Sequence, residues 1–113
     1  MRAEALKGHL DGMLLAALEA EPRHGYAIIE TLRAGSGGQF DLPTGTVYPA
    51  LHRLERAGLV QASWSVHGGR RRRLYQLTAD GRRALAAERS TWQEFSAAVT
   101  SLLQPGPAAA SSS

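Results

Sequence analysis

The chain has no cysteine. Disulfide staples, thiolate metal sites and cysteine nucleophiles are therefore excluded. It also lacks any run of about 20 apolar residues and any charged-apolar-small leader, which predicts a soluble cytoplasmic protein. His9, His24, His52 and His67 share no metal-ligand spacing, so neither metal nor cofactor is expected. No Ser/His/Asp set, paired-carboxylate site or phosphate-cradling loop is present. Gly35-Ser36-Gly37-Gly38 has neither the lysine nor the strand-to-helix setting that such a loop needs. An enzyme has no support in these residues.

What is present fits one small domain of about 100 residues with a short tail. A core of this size gains from dimerising. Lysine and arginine number 13 against 10 acids, and four of the bases are consecutive, Arg70-Arg71-Arg72-Arg73. Without that run the balance turns slightly negative. The surplus is thus a patch, the electrostatic footprint of an anionic partner. A solvated arginine face would also look like this, but the run sits inside an expected hairpin rather than in a tail.

Helical spacing of Leu10, Met13, Leu14, Ala17 and Leu18 predicts a first helix from about Lys7 to Ala20, ended by Glu21-Pro22. A second helix opens at His24-Gly25, with Tyr26, Ile29, Leu32 and either Ala27 or Ile28 facing inward, and Gly35–Gly38 breaks it. Phe40 and Leu42 pin an extended link before the third helix, which runs from Thr44 to Gly58. Thr44 is the expected N-cap and Gly58 the C-terminal stop. Val47, Ala50, Leu51, Leu54 and Leu59 form its buried stripe. The opposite face carries Gly45, Pro49, His52, Arg53 and Arg56, flanked by Thr46 and Tyr48. Pro49 would crowd the residue four places back, but that residue is Gly45. Such a face, low in bulk and acid, suits close approach to another backbone, and DNA is the working expectation.

Beyond Gly58 the period becomes two. Val60, Ala62, Trp64 and Val66 alternate with polar residues as a half-buried strand, and Gly68-Gly69 supplies a two-residue hairpin turn. Counting back from that turn pairs His67 with Arg70, Trp64 with Arg73, Ala62 with Tyr75 and Val60 with Leu77. Arg70 and Arg72 then share one face of the ribbon, and Arg71 and Arg73 the other, with Arg73 placed for a cation–π contact with Trp64. Thr78 caps a last helix to about Leu103, with Asp80 in its first turn. Its seven-residue repeat sets Leu85, Trp92 and Val99 on one seam position and Glu88, Phe95 and Leu102 on the other. The helix is longer than its own core requires, which predicts dimerisation.

These elements predict a mostly helical α+β protein. A winged helix-turn-helix domain of three helices and a two-stranded wing occupies residues 1–78, a dimerisation helix residues 79–103, and a disordered tail residues 104–113.

His24-Gly25-Tyr26, Thr44-Gly45-Thr46-Val47-Tyr48-Pro49-Ala50-Leu51-His52-Arg53-Leu54-Glu55 and Gly68-Gly69-Arg70 through Leu77-Thr78 resemble the PadR family of bacterial transcriptional regulators. The likeness spans residues 6 to 103, and the single last helix is similar to the family's short branch. The resemblance implies a homodimeric repressor, with the third helix in the major groove and the wing near the minor groove. It also implies a small-molecule effector near the dimer interface, where the family has one.

Thr44, Gly45, Thr46, Tyr48 and Pro49 are candidate DNA contacts from the first turns of the third helix. His52 and Arg53 follow from its exposed face, and Arg70, Arg71 and Arg72 from the wing. Tyr48 is open to a second reading as a half-buried packing residue. Arg53 could instead pair with an acid of the domain, and Arg56 lies further from the reading end. Tyr26 is at least as well explained as core. Leu85, Trp92, Phe95, Val99 and Leu102 are the candidate dimer interface. Glu88, Trp92 and Phe95 are candidates for an effector pocket, the competing readings being dimer core for the aromatics and a register device for Glu88. The expected function is a ligand-responsive repressor on a palindromic operator. The alternative is a small-molecule-binding or protein-interaction module on the same fold without DNA binding.

Overall fold

A computed structural model describes residues 8–106. Lys7, at the expected start of the first helix, and residues 107–113 of the expected tail lie outside the described residues. The elements are α1 (Leu10–Ala17), β1 (Arg23–His24), α2 (Gly25–Gly35), α3 (Thr44–Arg56), β2 (Val60–His67), β3 (Arg70–Leu77) and α4 (Ala79–Leu103). Three helices enclose a core of Leu14, Leu18, Ile28, Val47, Leu51 and Leu54, closed on the sheet side by Val60, Tyr75 and Leu77. Among the described residues no helix is long and apolar enough to cross a membrane.

The hairpin has the expected register throughout, with Val60 opposite Leu77, Ala62 opposite Tyr75, Trp64 opposite Arg73 and His67 opposite Arg70. Gly68 and Gly69 have φ of 61° and 79°, the pair of positive values that a tight turn matching strand twist requires. A third strand was not expected. Arg23 and His24 pair with Tyr75 and Leu74, giving an antiparallel order β1-β3-β2. The apolar alternation also outruns the core: Val66 is exposed, because the hairpin tip extends past the helices that cover its base.

α3 begins one residue earlier than its hydroxyl suggests. Pro43, not Thr44, holds the N-cap position in extended conformation, and its carbonyl accepts from the Thr46 and Val47 amides at 3.0 and 3.1 Å. Thr44 is instead the first helical residue and exposed. The helix stops as expected. Gly58, at φ 79°, donates to the Glu55 carbonyl at 3.0 Å, and Leu59 donates to that of Leu54 at 3.0 Å. This pair of bonds is the Schellman closure. α1 is shorter than expected, ending at Ala17 with turn bonds from Leu18 to Leu15 and from Glu19 to Ala16. In α2 Ile28 is fully buried and the expected Ile29 and Leu32 pack partly buried against the core, while Tyr26 points outward at 66% exposure.

α4 starts on a cap that also docks it. The Thr78 hydroxyl accepts from the Gly81 amide at 3.0 Å and donates to the Gly58 carbonyl at 2.7 Å. Its 25 residues reach about 37 Å at 1.5 Å per residue. Only the first half packs on the chain's own body. Leu85 is buried in the core, and Glu88 lies so close over Gly12 that a Cβ there would sit 2.5 Å from its Cγ. Arg89 forms a two-pronged pair with Glu19 at the end of α1, at 2.8 and 3.2 Å, and holds that carboxyl below its ordinary range. Past this point Trp92, Phe95, Leu102 and Leu103 are exposed.

Candidate nucleic-acid interface

Of the sequence-predicted contacts, Tyr48 and Arg70 to Arg72 line one cleft, and the others lie along α3 outside it. α3 presents Thr44, Gly45, Pro49, His52 and Arg53 outward, with Thr46 and Tyr48 half-buried at the flanks. Its first turn contains no acid. Pro49 sits within the helix, so the Gly45 carbonyl lacks its usual amide partner four residues on. Nothing lies within 4 Å of where a Gly45 Cβ would be, which leaves the approach to this turn open. Arg53 takes the alternative foreseen for it: its guanidinium pairs with Asp11 of α1, both about half-exposed. An exposed pair of this kind is weak and exchangeable.

Tyr48 joins α3 to the start of α2. A Cβ on Gly25 would stand 2.2 Å from the Tyr48 hydroxyl, so glycine is required there for that phenol to lie across the α2 terminus. Tyr26 meets Tyr48 edge-on, ring centroids 6.4 Å apart. Burial, then the neighbouring Tyr26, pushes the Tyr48 phenol up, and Arg72 pulls the other way. Tyr48 is therefore a neutral hydroxyl, able to donate to an anion. It is half-buried packing and lip of the site at once.

The wing supplies the charge. Arg71 and Arg73 lie on the Trp64 face, their guanidinium carbons 4.4 and 5.1 Å from the indole centroid. Only the second contact was expected. Arg73 also donates to Glu55 of α3 at 3.0 Å, both side chains about one-third exposed. Its backbone carbonyl accepts from the His24 Nδ1–H at 3.0 Å. Among the described residues, Arg70 and Arg72 make no ion pair. A cleft of about 260 Å³ joins these parts, lined by His24, Gly25, Tyr26, Tyr48 and Trp64 together with Arg70 to Arg73. No local spacing could have disclosed that cleft, because its walls come from three separate segments.

Residues 14–87 match the transcriptional regulator PadR-like family, and this stretch includes the whole site just described. The chain belongs to that family. PadR-like regulators bind DNA, so the chain is a DNA-binding transcriptional regulator and not an enzyme. A PadR family regulator from Eggerthella lenta, 31% identical, superposes with a TM-score of 0.77 over 91% of this chain and 88% of that one. A PadR-like regulator from Bacillus cereus, 27% identical, does so at 0.80 over 92% and 100%. A transcriptional regulator of Mycobacterium tuberculosis is 46% identical over 55 residues, which are 49% of this chain and 51% of that protein.

The candidate dimer and effector residues fall elsewhere, on α4. Trp92 and Phe95 form a tilted pair with centroids 5.9 Å apart, and His9 meets the Trp92 edge at 5.2 Å. Val99 is half-buried, and Leu102 is 84% exposed. Leu85 belongs to the chain's own core, so the uncovered seam begins only at Trp92. Glu88 packs over Gly12, one turn before the aromatic pair.

Proposed function

We propose that this PadR-like regulator is a homodimeric repressor of a palindromic operator, working in the cytoplasm. Residues 1–78 read DNA, residues 79–103 pair the two copies, and residues 104–113 are a tail. The observation that carries the DNA side is the arginine wing, joined to α3 by the Arg73–Glu55 pair, together with an α3 first turn that has no acid. Wing charge neutralises phosphates, while Thr46, Tyr48, His52 and Arg53 align or read the groove. Two-fold symmetry places the half-sites about one helical turn apart, near 34 Å. A dimer lying across a promoter excludes other proteins from it, which is repression by occupancy.

The dimer rests on α4. Trp92, Phe95, Val99 and Leu102 continue the seam where the chain itself no longer covers it, and a second copy would bury both stripes. Duplicated Trp92 and Phe95 rings at the two-fold axis would also offer flat walls to a planar apolar or cationic effector, which would act by changing the separation of the two α3 helices. Replacing Trp92 by alanine is expected to raise the dimer dissociation constant at least tenfold in sedimentation, or to abolish effector binding. A variant unchanged in both would overturn the role of Trp92.

Titration of the protein against the DNA upstream of its own gene, at several salt concentrations, tests the reading as a whole. The expected result is a steep fall of affinity with salt. A flat response would instead favour a small-molecule-binding or protein-interaction module that has this fold without DNA binding.

A further inference from the structure

Arg73 links the β1–α2 junction, α3 and β2. Its guanidinium donates to Glu55 on α3 at 3.0 Å and lies 5.1 Å from the Trp64 centroid on β2. Its carbonyl holds the His24 imidazole, and its strand partner is Trp64 itself. Arg71 covers the same indole at 4.4 Å. Two cations over one ring repel each other, and two more follow on the opposite face. Pairing with β1 and the His24 bond anchor β3 only as far as Arg73, so neither fixes the orientation of the arginine tip beyond it. Glu55 is the acid that removes this freedom, because it neutralises the inner cation from a rigid helix.

We propose that Glu55 and Trp64 are positioning residues of the wing. They hold Arg71 and Arg73 on the indole, and strand alternation then sets Arg70 and Arg72 on the other face of the ribbon at a fixed distance from α3. Glu55 touches no DNA in this arrangement. It acts through Arg73, and its carboxylate is also the negative group that a phosphate would otherwise displace from that arginine. The inference rests on the DNA-binding reading and adds to it a source of sequence discrimination: a wing in one place reinforces one register of α3, whereas a loose wing binds every register alike.

The test compares wild type, Glu55→Gln, Trp64→Ala, Glu55→Arg and the swapped double variant Glu55→Arg with Arg73→Glu. The probes are the tightest duplex that wild type selects from a randomised pool and a shuffled duplex of equal length. Glu55→Gln and Trp64→Ala are expected to lower the ratio of the two affinities roughly tenfold, with the swap recovering most of the loss relative to Glu55→Arg alone. Loss of a repelling acid by itself would tighten both duplexes equally, and loss of stability would weaken both equally. An unchanged ratio therefore overturns the proposal. A second measurement needs no DNA: amide exchange across residues 64–73 should quicken several-fold in Glu55→Gln while α1 stays protected. If wild type binds neither duplex, the DNA reading falls, and the exchange measurement alone decides whether Glu55 positions the wing. Unchanged exchange then overturns it.

Discussion

Replacing Gly81 by alanine is expected to destabilise the protein by about 2–3 kcal/mol, although the same change in an open helix would stabilise it by up to about 1 kcal/mol. The reason is contact. A Cβ at Gly81 would stand 2.0 Å from the Leu59 carbonyl oxygen and 3.0 Å from its carbon, with Leu77 Cδ2 at 3.3 Å. The first two are backbone atoms of the turn that follows α3, and they cannot swing aside as a side chain would. Relief must come from lifting the start of α4. That movement breaks the 3.2 Å bond from the Thr78 amide to Leu59 and the 2.7 Å bond from its hydroxyl to Gly58. Each is worth about 1 kcal/mol. At fixed protein concentration the thermal midpoint should drop by roughly 10–20 °C. A midpoint equal to wild type or higher would mean that helix propensity wins and that α4 is not held against the α3–β2 turn. The functional consequence follows from the same contact, since this junction sets the angle at which α4 leaves the DNA-reading body.

Much of this junction was legible in the chain. Thr78 followed by Asp80 marks a helix start, Gly58 marks a stop, and both caps form as expected. The hairpin register followed from Gly68-Gly69 because a two-residue turn leaves only one way to count. Elsewhere the sequence pattern was true but incomplete. Leu85 fits the heptad as well as Trp92 does, yet periodicity records only that a position is apolar, not whether its cover comes from the same chain or another. Val66 obeys the strand alternation but lies beyond the helices, where alternation no longer means burial. β1 left no pattern at all: two polar residues pair through their backbones. Tyr26 has helical core spacing, but α2 starts at the sheet edge, and its ring turns toward Tyr48. Thr44 has the chemistry of a cap, and the fixed φ of Pro43 took the position first. The cleft between α2, α3 and the wing depends on contacts across more than 40 residues, which neither spacing nor composition encodes.

The charge on this protein is sorted by partner. Arg53, Arg73, Arg83 and Arg89 each face an acid of the same chain, so they add little to an outward field. Among the described residues Arg70 and Arg72 do not, and they alternate onto the strand face opposite Trp64. A formal excess of +3 therefore understates the field at the wing tip and overstates it elsewhere. The third helix, with no acid in its first turn, adds to the wing a face that does not repel an anionic rod. On the proposed reading, affinity and base reading are divided, the wing supplying the first and α3 the second.

Replacing Arg70 and Arg72 together by alanine measures that division. Each phosphate contact removed should flatten the plot of log affinity against log salt by about 0.9, so the double variant loses about 1.8 per chain and about 3.6 for a two-fold pair. At physiological salt this amounts to a loss on the order of 100-fold for any duplex, since phosphates carry no sequence. The ratio between a selected and a shuffled duplex should remain close to wild type, the signature of lost positioning charge rather than lost base contacts. Stability should hardly change, because both side chains are exposed and make no ion pair among the described residues. The Glu55→Gln variant should behave in the opposite way, with slope retained and ratio reduced, so the two variants separate the charge of the wing from its placement. A slope unchanged by the double substitution would remove Arg70 and Arg72 from the phosphate backbone. The outward side of the wing would then have no role in binding DNA, and α3 would have to supply the affinity with Arg53, after releasing Asp11, as its main cation.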